Sequence, residues 1–119
     1  MINAVGYVLV NFTRREVLTF AHIPASTKLE LAGNAAAAAM STWYMLECAG
    51  DQMAFVSDTY GEWPFPGGSS SDVASYVDVT DRVVAELVGV GILKDLGRQH
   101  YSDDLTEYTR VLENVWLQS

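Results

Sequence analysis

The sequence predicts an α+β fold: a small, mostly antiparallel sheet packed on a buried helix and followed by acidic C-terminal helices. Two stretches rich in β-branched and aromatic residues, 5–11 and 16–23, are separated by only four residues, which is typical of a β-hairpin. A run of strong helix formers, 35–48, is apolar on nearly every side and is expected to be buried across the sheet. With 119 residues, half of them hydrophobic, the chain is expected to form one compact domain, 1–119.

The predicted sheet has three strands. Residues 12–15 form the loop of the N-terminal hairpin. Pro24 is expected to end the second strand, because proline lacks the backbone N–H that strand pairing needs. The third strand is predicted for residues 52–57, and its end leads Asp58 into a long loop.

Two helices are predicted between the second and third strands. Residues 26–31 are expected to form one helical turn before Gly33. Asn34 is a favourable N-cap for the long apolar helix, and Gly50 is its expected C-cap. The side chains expected to fill the core from this helix are Met40, Trp43, Tyr44 and Leu46.

The segment after the third strand is predicted to be loop and turn. Its Gly-Gly-Ser-Ser-Ser run, 67–71, has the composition of flexible chain. Ser71 or Asp72 is expected to cap a short turn that runs through Tyr76.

Two helices are predicted in the C-terminal part. Thr80 is the expected N-cap of the first, whose apolar stripe consists of Val83, Val84, Leu87 and Val88. An irregular hairpin is predicted for residues 92–101. From a cap at Asp103 or Asp104, apolar residues at helical spacing predict a second helix over 105–117, with a strand as the alternative. The residues at that spacing are Leu105, Tyr108, Leu112, Val115 and Trp116.

The net charge of −8 is distributed unevenly. Residues 1–50 hold three basic and three acidic side chains, whereas residues 51–119 hold four basic and twelve acidic ones. Phosphate binding needs a basic surface, so this distribution argues against nucleic acid as a direct ligand. It favours a partner protein with a basic surface or cleft, although acidic surfaces also serve solubility alone.

The chemistry of known catalytic and cofactor sites is missing from the sequence. His22, His100 and Cys48 do not have the spacing of a zinc site, and no calcium loop is present. Cys48 belongs to the apolar helix, where a buried thiol is usually inert. No nucleophile elbow and no P-loop occur, so no catalytic residue, no metal and no cofactor is predicted.

The sequence also indicates where the protein acts. No stretch resembles a signal peptide or reaches the length of a membrane span, and one cysteine suits a reducing compartment. The expected location is therefore the cytoplasm, with no membrane partner. The tripeptide 11–13 matches a glycosylation acceptor, but in a cytoplasmic protein this match is expected to be accidental.

The strongest candidate for a partner-binding site is the loop at residues 57–72, which combines acidic and aromatic side chains. Tyr and Trp dominate many binding interfaces, and prolines next to the aromatics restrict the backbone before binding. The alternative is that Trp63 and Phe65 fold back and close the core. The candidate partner-binding residues are Asp58, Tyr60, Glu62, Trp63, Phe65 and Asp72.

These observations predict a non-catalytic acidic binding protein that neutralises a partner protein, such as an immunity protein that blocks a bacterial toxin. A phage-type inhibitor that imitates nucleic acid and blocks a nuclease or defence complex is the first alternative. A small enzyme or ligand-binding domain that uses the Asp58 loop is the second, with Asp58 and Glu62 as the candidate acid–base pair. The oligomeric state is left open by the sequence.

Overall fold

The computed structural model describes residues 5–57 and 62–116, and its architecture confirms the predicted α+β class. A four-stranded sheet has the order β3–β1–β2–β4, in which only the β2–β4 pair is parallel. Its strands are β1 (Tyr7–Asn11), β2 (Glu16–Leu18), β3 (Met53–Ser57) and β4 (Val77–Asp78). The helices are α1 (Lys28–Gly33), α2 (Ala35–Glu47) and α3 (Thr80–Gly89). A second, two-stranded sheet pairs β5 (Leu93–His100) with β6 (Tyr108–Asn114).

The N-terminal hairpin is present with its predicted four-residue loop, but its second strand is shorter than predicted. β2 ends at Leu18, well before Pro24, because Phe20 and His22 both adopt left-handed backbone conformations with φ of 56° and 64°. Such residues cannot continue a strand. The turn buries the Phe20 ring in the core and directs His22 towards the second sheet.

The start of α2 agrees with the prediction, and its end does not. The Asn34 side chain accepts a hydrogen bond from the Ala37 N–H at 3.0 Å, which confirms it as the N-cap. The helix ends at Glu47 with Cys48 as C-cap, and Gly50, at φ 96°, follows two residues later.

The predicted burial of α2 across the sheet holds for one side of the helix, and the prediction that Leu46 fills the core is wrong. The side that faces the sheet and α3 consists of Ala36, Ala37, Met40 and Tyr44, all of them buried. Trp43 is half-buried, and Leu46 is 72% exposed and so does not fill the core. A helix that is apolar on all sides is fully buried only if neighbouring elements surround it. Within the described chain, the neighbouring elements bury one side of α2 completely.

The predicted helix over residues 105–117 is wrong, and the alternative strand is right. Within this segment Tyr108–Asn114 form β6, which pairs antiparallel with β5. Consequently residues 92–101 provide one strand of a hairpin and not a hairpin of their own. Every residue of β6 is half-buried, so the segment does not show the single buried side that an amphipathic helix would have. β5 supplies the backbone hydrogen-bond partners of the strand. The β-branched Thr109 and Val111 also suit a strand.

The start of α3 differs in one detail from the prediction. Thr80 is buried and is the first residue of α3, not its N-cap. Its hydroxyl donates to Asp78 Oδ1 at 2.6 Å and accepts from the backbone N–H of Phe20 at 3.2 Å. Thr80 therefore ties the end of β2 to the start of α3. The predicted apolar stripe of α3 is buried at Val83, Val84 and Leu87, but not at Val88.

The Asn11 side chain is part of the interior and not a glycan acceptor. It is fully buried, and its Nδ2 donates to Asp51 Oδ2 at 2.9 Å. Arg14 Nε donates to the same carboxylate oxygen at 2.7 Å. The hydrogen bonds from Asn11 and Arg14 hold the pKa of Asp51 below its ordinary value.

Cys48 is 1% exposed, and burial raises the pKa of its thiol. Because the thiolate is the reactive species, we expect Cys48 to react with a thiol reagent such as DTNB only when the protein unfolds. The native protein should release almost no thionitrobenzoate at neutral pH, and the protein in denaturant should release one equivalent per chain. Rapid reaction of the native protein would contradict this burial.

In the described part of the chain, no helix has the length and apolar character required to span a bilayer.

Candidate functional site

The loop 57–72 holds six predicted binding residues, of which four lie in the described part of the chain. Asp58 and Tyr60 lie outside the described residues. The proposed acid–base pair of Asp58 and Glu62 therefore has only Glu62 within them. Glu62 is exposed. The remaining three, Trp63, Phe65 and Asp72, make contacts within the loop and with the sheet.

The aromatic side chains of the loop fold back onto the four-stranded sheet. Trp63 and Phe65 are half-buried against a small apolar cluster of Val10, Val17 and Val56. The Phe65 ring stacks on Phe12 at 5.0 Å, and Trp63 Nε1 donates to the Gly67 carbonyl at 2.6 Å. These contacts favour the alternative, in which the aromatics close the core and anchor the long connection.

Asp72 stabilises a turn that the sequence predicted to be flexible. Its Oδ2 accepts the Ser69 N–H at 2.9 Å, and a 3-10 helix follows over Ser70–Ser75. Gly68 has φ 73°, and a Cβ at this position would collide with the Asp72 carboxylate. The Gly-Ser run is therefore an ordered turn that needs glycine at residue 68.

An acidic surface that sequence reasoning missed lies at the end of the second sheet. The seven-residue connection between β5 and β6, residues 101–107, is exposed throughout and is called the hairpin tip below. It displays three carboxylates together with two large apolar side chains, Tyr101 at 65% and Leu105 at 75% exposure. The carboxylates are those of Asp103, Asp104 and Glu107.

The hairpin tip is ordered by its own hydrogen bonds. Asp104 Oδ1 accepts from the Thr106 N–H at 2.9 Å and from the Thr106 hydroxyl at 2.6 Å. The Glu107 N–H donates to the Asp104 carbonyl at 3.1 Å, which closes a tight turn. The two bonds from Thr106 keep the pKa of Asp104 below its ordinary value, so this carboxylate stays charged in mildly acidic solution.

The base of the hairpin is fixed to the rest of the protein. The His22 ring stacks on the Tyr108 ring at 3.8 Å, and the His22 carbonyl accepts the Arg110 N–H at 2.7 Å. Arg110 Nη1 forms an ion pair with Asp81 at 2.5 Å, which connects β6 to α3. In β5, Gly97 has φ 100° at a bulge. The tip is thus carried by an anchored hairpin.

The arginines of the described chain are engaged away from the tip. Arg14, Arg82 and Arg110 form ion pairs with carboxylates, and Arg15 and Arg98 lie over the rings of Phe12 and Tyr108. Among residues 5–57 and 62–116, no cationic side chain lies within ion-pair distance of Asp103, Asp104 or Glu107. The tip carboxylates therefore present uncompensated negative charge.

A polar cleft of about 490 Å³ lies beside the base of the hairpin, between the two sheets. Its charged lining residues are Asp78, Asp81, Asp95, Arg98 and Arg110. Burial by itself would raise the pKa of Asp78, but hydrogen bonds from Thr19 and Thr80 outweigh it and lower the pKa. Within the described residues, no three His, Cys, Asp or Glu side chains are grouped to hold a metal. The ion pairs of Arg110 at this cleft connect β6 to α3 through Asp81 and to β5 through Asp95.

One signal in the sequence could have identified the hairpin tip. Asp103 and Asp104 stand next to each other in a polar segment, and Asp followed by Thr two residues later is a common turn pattern. The helical spacing of Leu105 and Tyr108 masked this signal, because it assigned the segment to the first turn of a helix. Comparisons with protein-family models, curated proteins and solved structures give no match for this chain, so its function is inferred from its own residues.

Proposed function

We propose that this protein is a non-catalytic acidic binding protein of the cytoplasm that neutralises a partner protein by covering a basic surface or cleft. The observation that carries the proposal is the hairpin tip: three carboxylates without a cationic neighbour in the described chain, beside exposed Tyr101 and Leu105. Charged groups of this kind steer the encounter with a basic partner, and the apolar groups add contact area after docking.

The order of the tip supports a binding role. Hydrogen bonds from Thr106 fix the Asp104 carboxylate, so less conformational freedom is lost on binding. An exposed leucine and tyrosine within a small acidic turn contribute nothing to the core of this chain. Contact with a partner gives both groups a role.

The partner class that fits best is a toxin whose active site binds an anionic substrate, with this chain as its immunity protein. Such an active site is basic, and carboxylates that enter it occupy the position of the substrate's negative groups. A nucleic-acid-mimicking inhibitor of a nuclease uses the same physics and is distinguished below by experiment.

The experiment starts from the protein encoded by the gene next to this one, called the neighbour protein below. It is expressed in bacterial cells alone, with the wild-type chain, and with the variant Asp103→Asn, Asp104→Asn, Glu107→Gln. We expect the neighbour protein to stop growth, the wild-type chain to restore it, and the variant to restore it poorly although it folds. A harmless neighbour protein, or full rescue by the variant, would contradict the proposal.

The nucleic-acid-mimic alternative predicts a different result. The chain would then inhibit a nuclease that is encoded elsewhere, and duplex DNA would compete with it for the enzyme. Rescue from the neighbour protein without competition by DNA supports immunity instead of mimicry.

A further inference from the structure

The polar cleft beside the base of the hairpin brings positive and negative side chains together around one space. Its volume of about 490 Å³ lies in the range of small-molecule sites. Two arginines, three aspartates and one histidine line it, and no residue of the hairpin tip does. The partners that these groups have within the chain, and those that they lack, determine what the cleft can bind.

Arg98 is the cationic group of the cleft that has no counter-ion in the described chain. In the β5–β6 pair it lies directly opposite Arg110, so two positive side chains are neighbours on the face that lines the cleft. Arg110 forms ion pairs with Asp81 at 2.5 Å and with Asp95 at 4.0 Å. Arg98 lies over the Tyr108 ring at 4.4 Å, and within the described chain its N–H groups have no acceptor. Because like charges directly opposite each other are unfavourable, a carboxylate bound by Arg98 through two parallel hydrogen bonds would stabilise this arrangement.

The cleft also has acceptors for a positive group. Asp95 Oδ2 is 4.0 Å from Arg110 Nη2, a long ion pair that leaves this oxygen available. His22 Nδ1 is 3.1 Å from the Tyr108 carbonyl oxygen, which can only accept, so Nδ1 carries the proton and Nε2 of the neutral ring is an acceptor. Within the described chain Nε2 has no partner. An ammonium group would pair with Asp95 Oδ2 and His22 Nε2.

The charges of the cleft argue against a ligand with a single charge. A simple anion would pair with Arg98 but would be repelled by three aspartates and by the net charge of −8. A simple cation would leave Arg98 without an anion. A molecule that carries both charges pairs with both kinds of group, and its own net charge of zero is not repelled by the protein.

We propose that the polar cleft binds a small zwitterion, a free amino acid, with its carboxylate on Arg98 and its ammonium group on Asp95 and His22. The Tyr108 ring contacts both sides of this site, the Arg98 guanidinium at 4.4 Å and the His22 ring at 3.8 Å. These contacts hold both binding groups in place before the ligand arrives, which lowers the entropy cost of binding. The site is separate from the partner surface at the hairpin tip, and each can exist without the other.

Isothermal titration calorimetry of the wild-type chain with each common L-amino acid tests the class of ligand. We expect at least one amino acid to bind at one site per chain. The corresponding carboxylic acid without the amino group, and the corresponding amine without the carboxylate, should each bind at least about tenfold more weakly, because each leaves a charged group of the cleft unpaired. Failure of every amino acid to bind, or equally tight binding of either analogue, would overturn the proposal.

Arg98→Gln tests the position of the site. It should weaken binding of the same amino acid by at least about tenfold and should fold, because Arg98 is exposed. Arg15→Gln is the matched control: it removes the same charge from a guanidinium that also lies over a ring, that of Phe12 at 3.9 Å, but outside the cleft. Unchanged binding in Arg98→Gln, or an equal loss in Arg15→Gln, would refute the site. If Arg98→Gln does not fold, the comparison of the two analogues with the wild-type chain still decides.

Discussion

Replacing Met40 with alanine is expected to lower the free energy of unfolding by about 2–5 kcal/mol, because the change leaves a cavity in a closely packed core. Met40 is fully buried on the side of α2 that faces the sheet. Leu46→Ala, on the same helix, should change the stability of the monomer by less than about 0.5 kcal/mol, because the Leu46 side chain is exposed.

Denaturant titration of both variants measures this difference. An equal loss in the two variants would mean that Leu46 fills the core, as the sequence alone predicts.

Neutralising the hairpin tip is expected to slow association with the neighbour protein by about tenfold or more at low salt. In the variant Asp103→Asn, Asp104→Asn, Glu107→Gln, the salt dependence of the association rate should flatten because steering is lost. The melting temperature should change little, because exposed charges contribute little to stability. Stopped-flow association rates over a range of salt concentrations, with a melting curve, measure both effects.

The loop at 57–72 offers a matched control with the same change in charge. The variant Asp58→Asn, Glu62→Gln, Asp72→Asn also removes three negative charges, but from the surface that the sequence predicts. If this variant slows association and the tip variant does not, the contact surface is the loop and the proposed role of the tip is wrong. If neither variant changes the rate, the partner recognises neither acidic surface, and the proposed role of the tip is wrong.

The sequence was sufficient to predict features that depend on residues close together in the chain. The four-residue hairpin loop, the cap at Asn34 and the buried stripe of α3 follow from local hydrogen bonding and from periodicity within one element. The acidic character of residues 51–119 also follows from the sequence without a structure. For the same reason the α+β class could be predicted: it requires only the types of the elements and not their contacts.

The sequence contains a turn signal at the hairpin tip, but the choice between a turn and a helix there depends on contacts between distant residues. Helical spacing and alternation both fit residues 105–117, and pairing with β5 decides between them. Trp63 and Phe65 are as suitable for an interface as for a core, and their contact with Val10, Val17 and Val56 decides that they close the core.

The sequence by itself determined the N-terminal hairpin, the cap at Asn34 and the uneven charge that argues for a basic partner. The tertiary structure decided which surfaces are free. Composition specifies that α2 is apolar on all sides, but only the arrangement of the sheet and α3 leaves Ala35 and Leu46 exposed. Likewise, the tip carboxylates are uncompensated because Arg98 and Arg110, close to them in sequence, bind Tyr108 and Asp81 instead. Burial and ion pairing are properties of neighbours in space, and residues distant in the chain supply those neighbours.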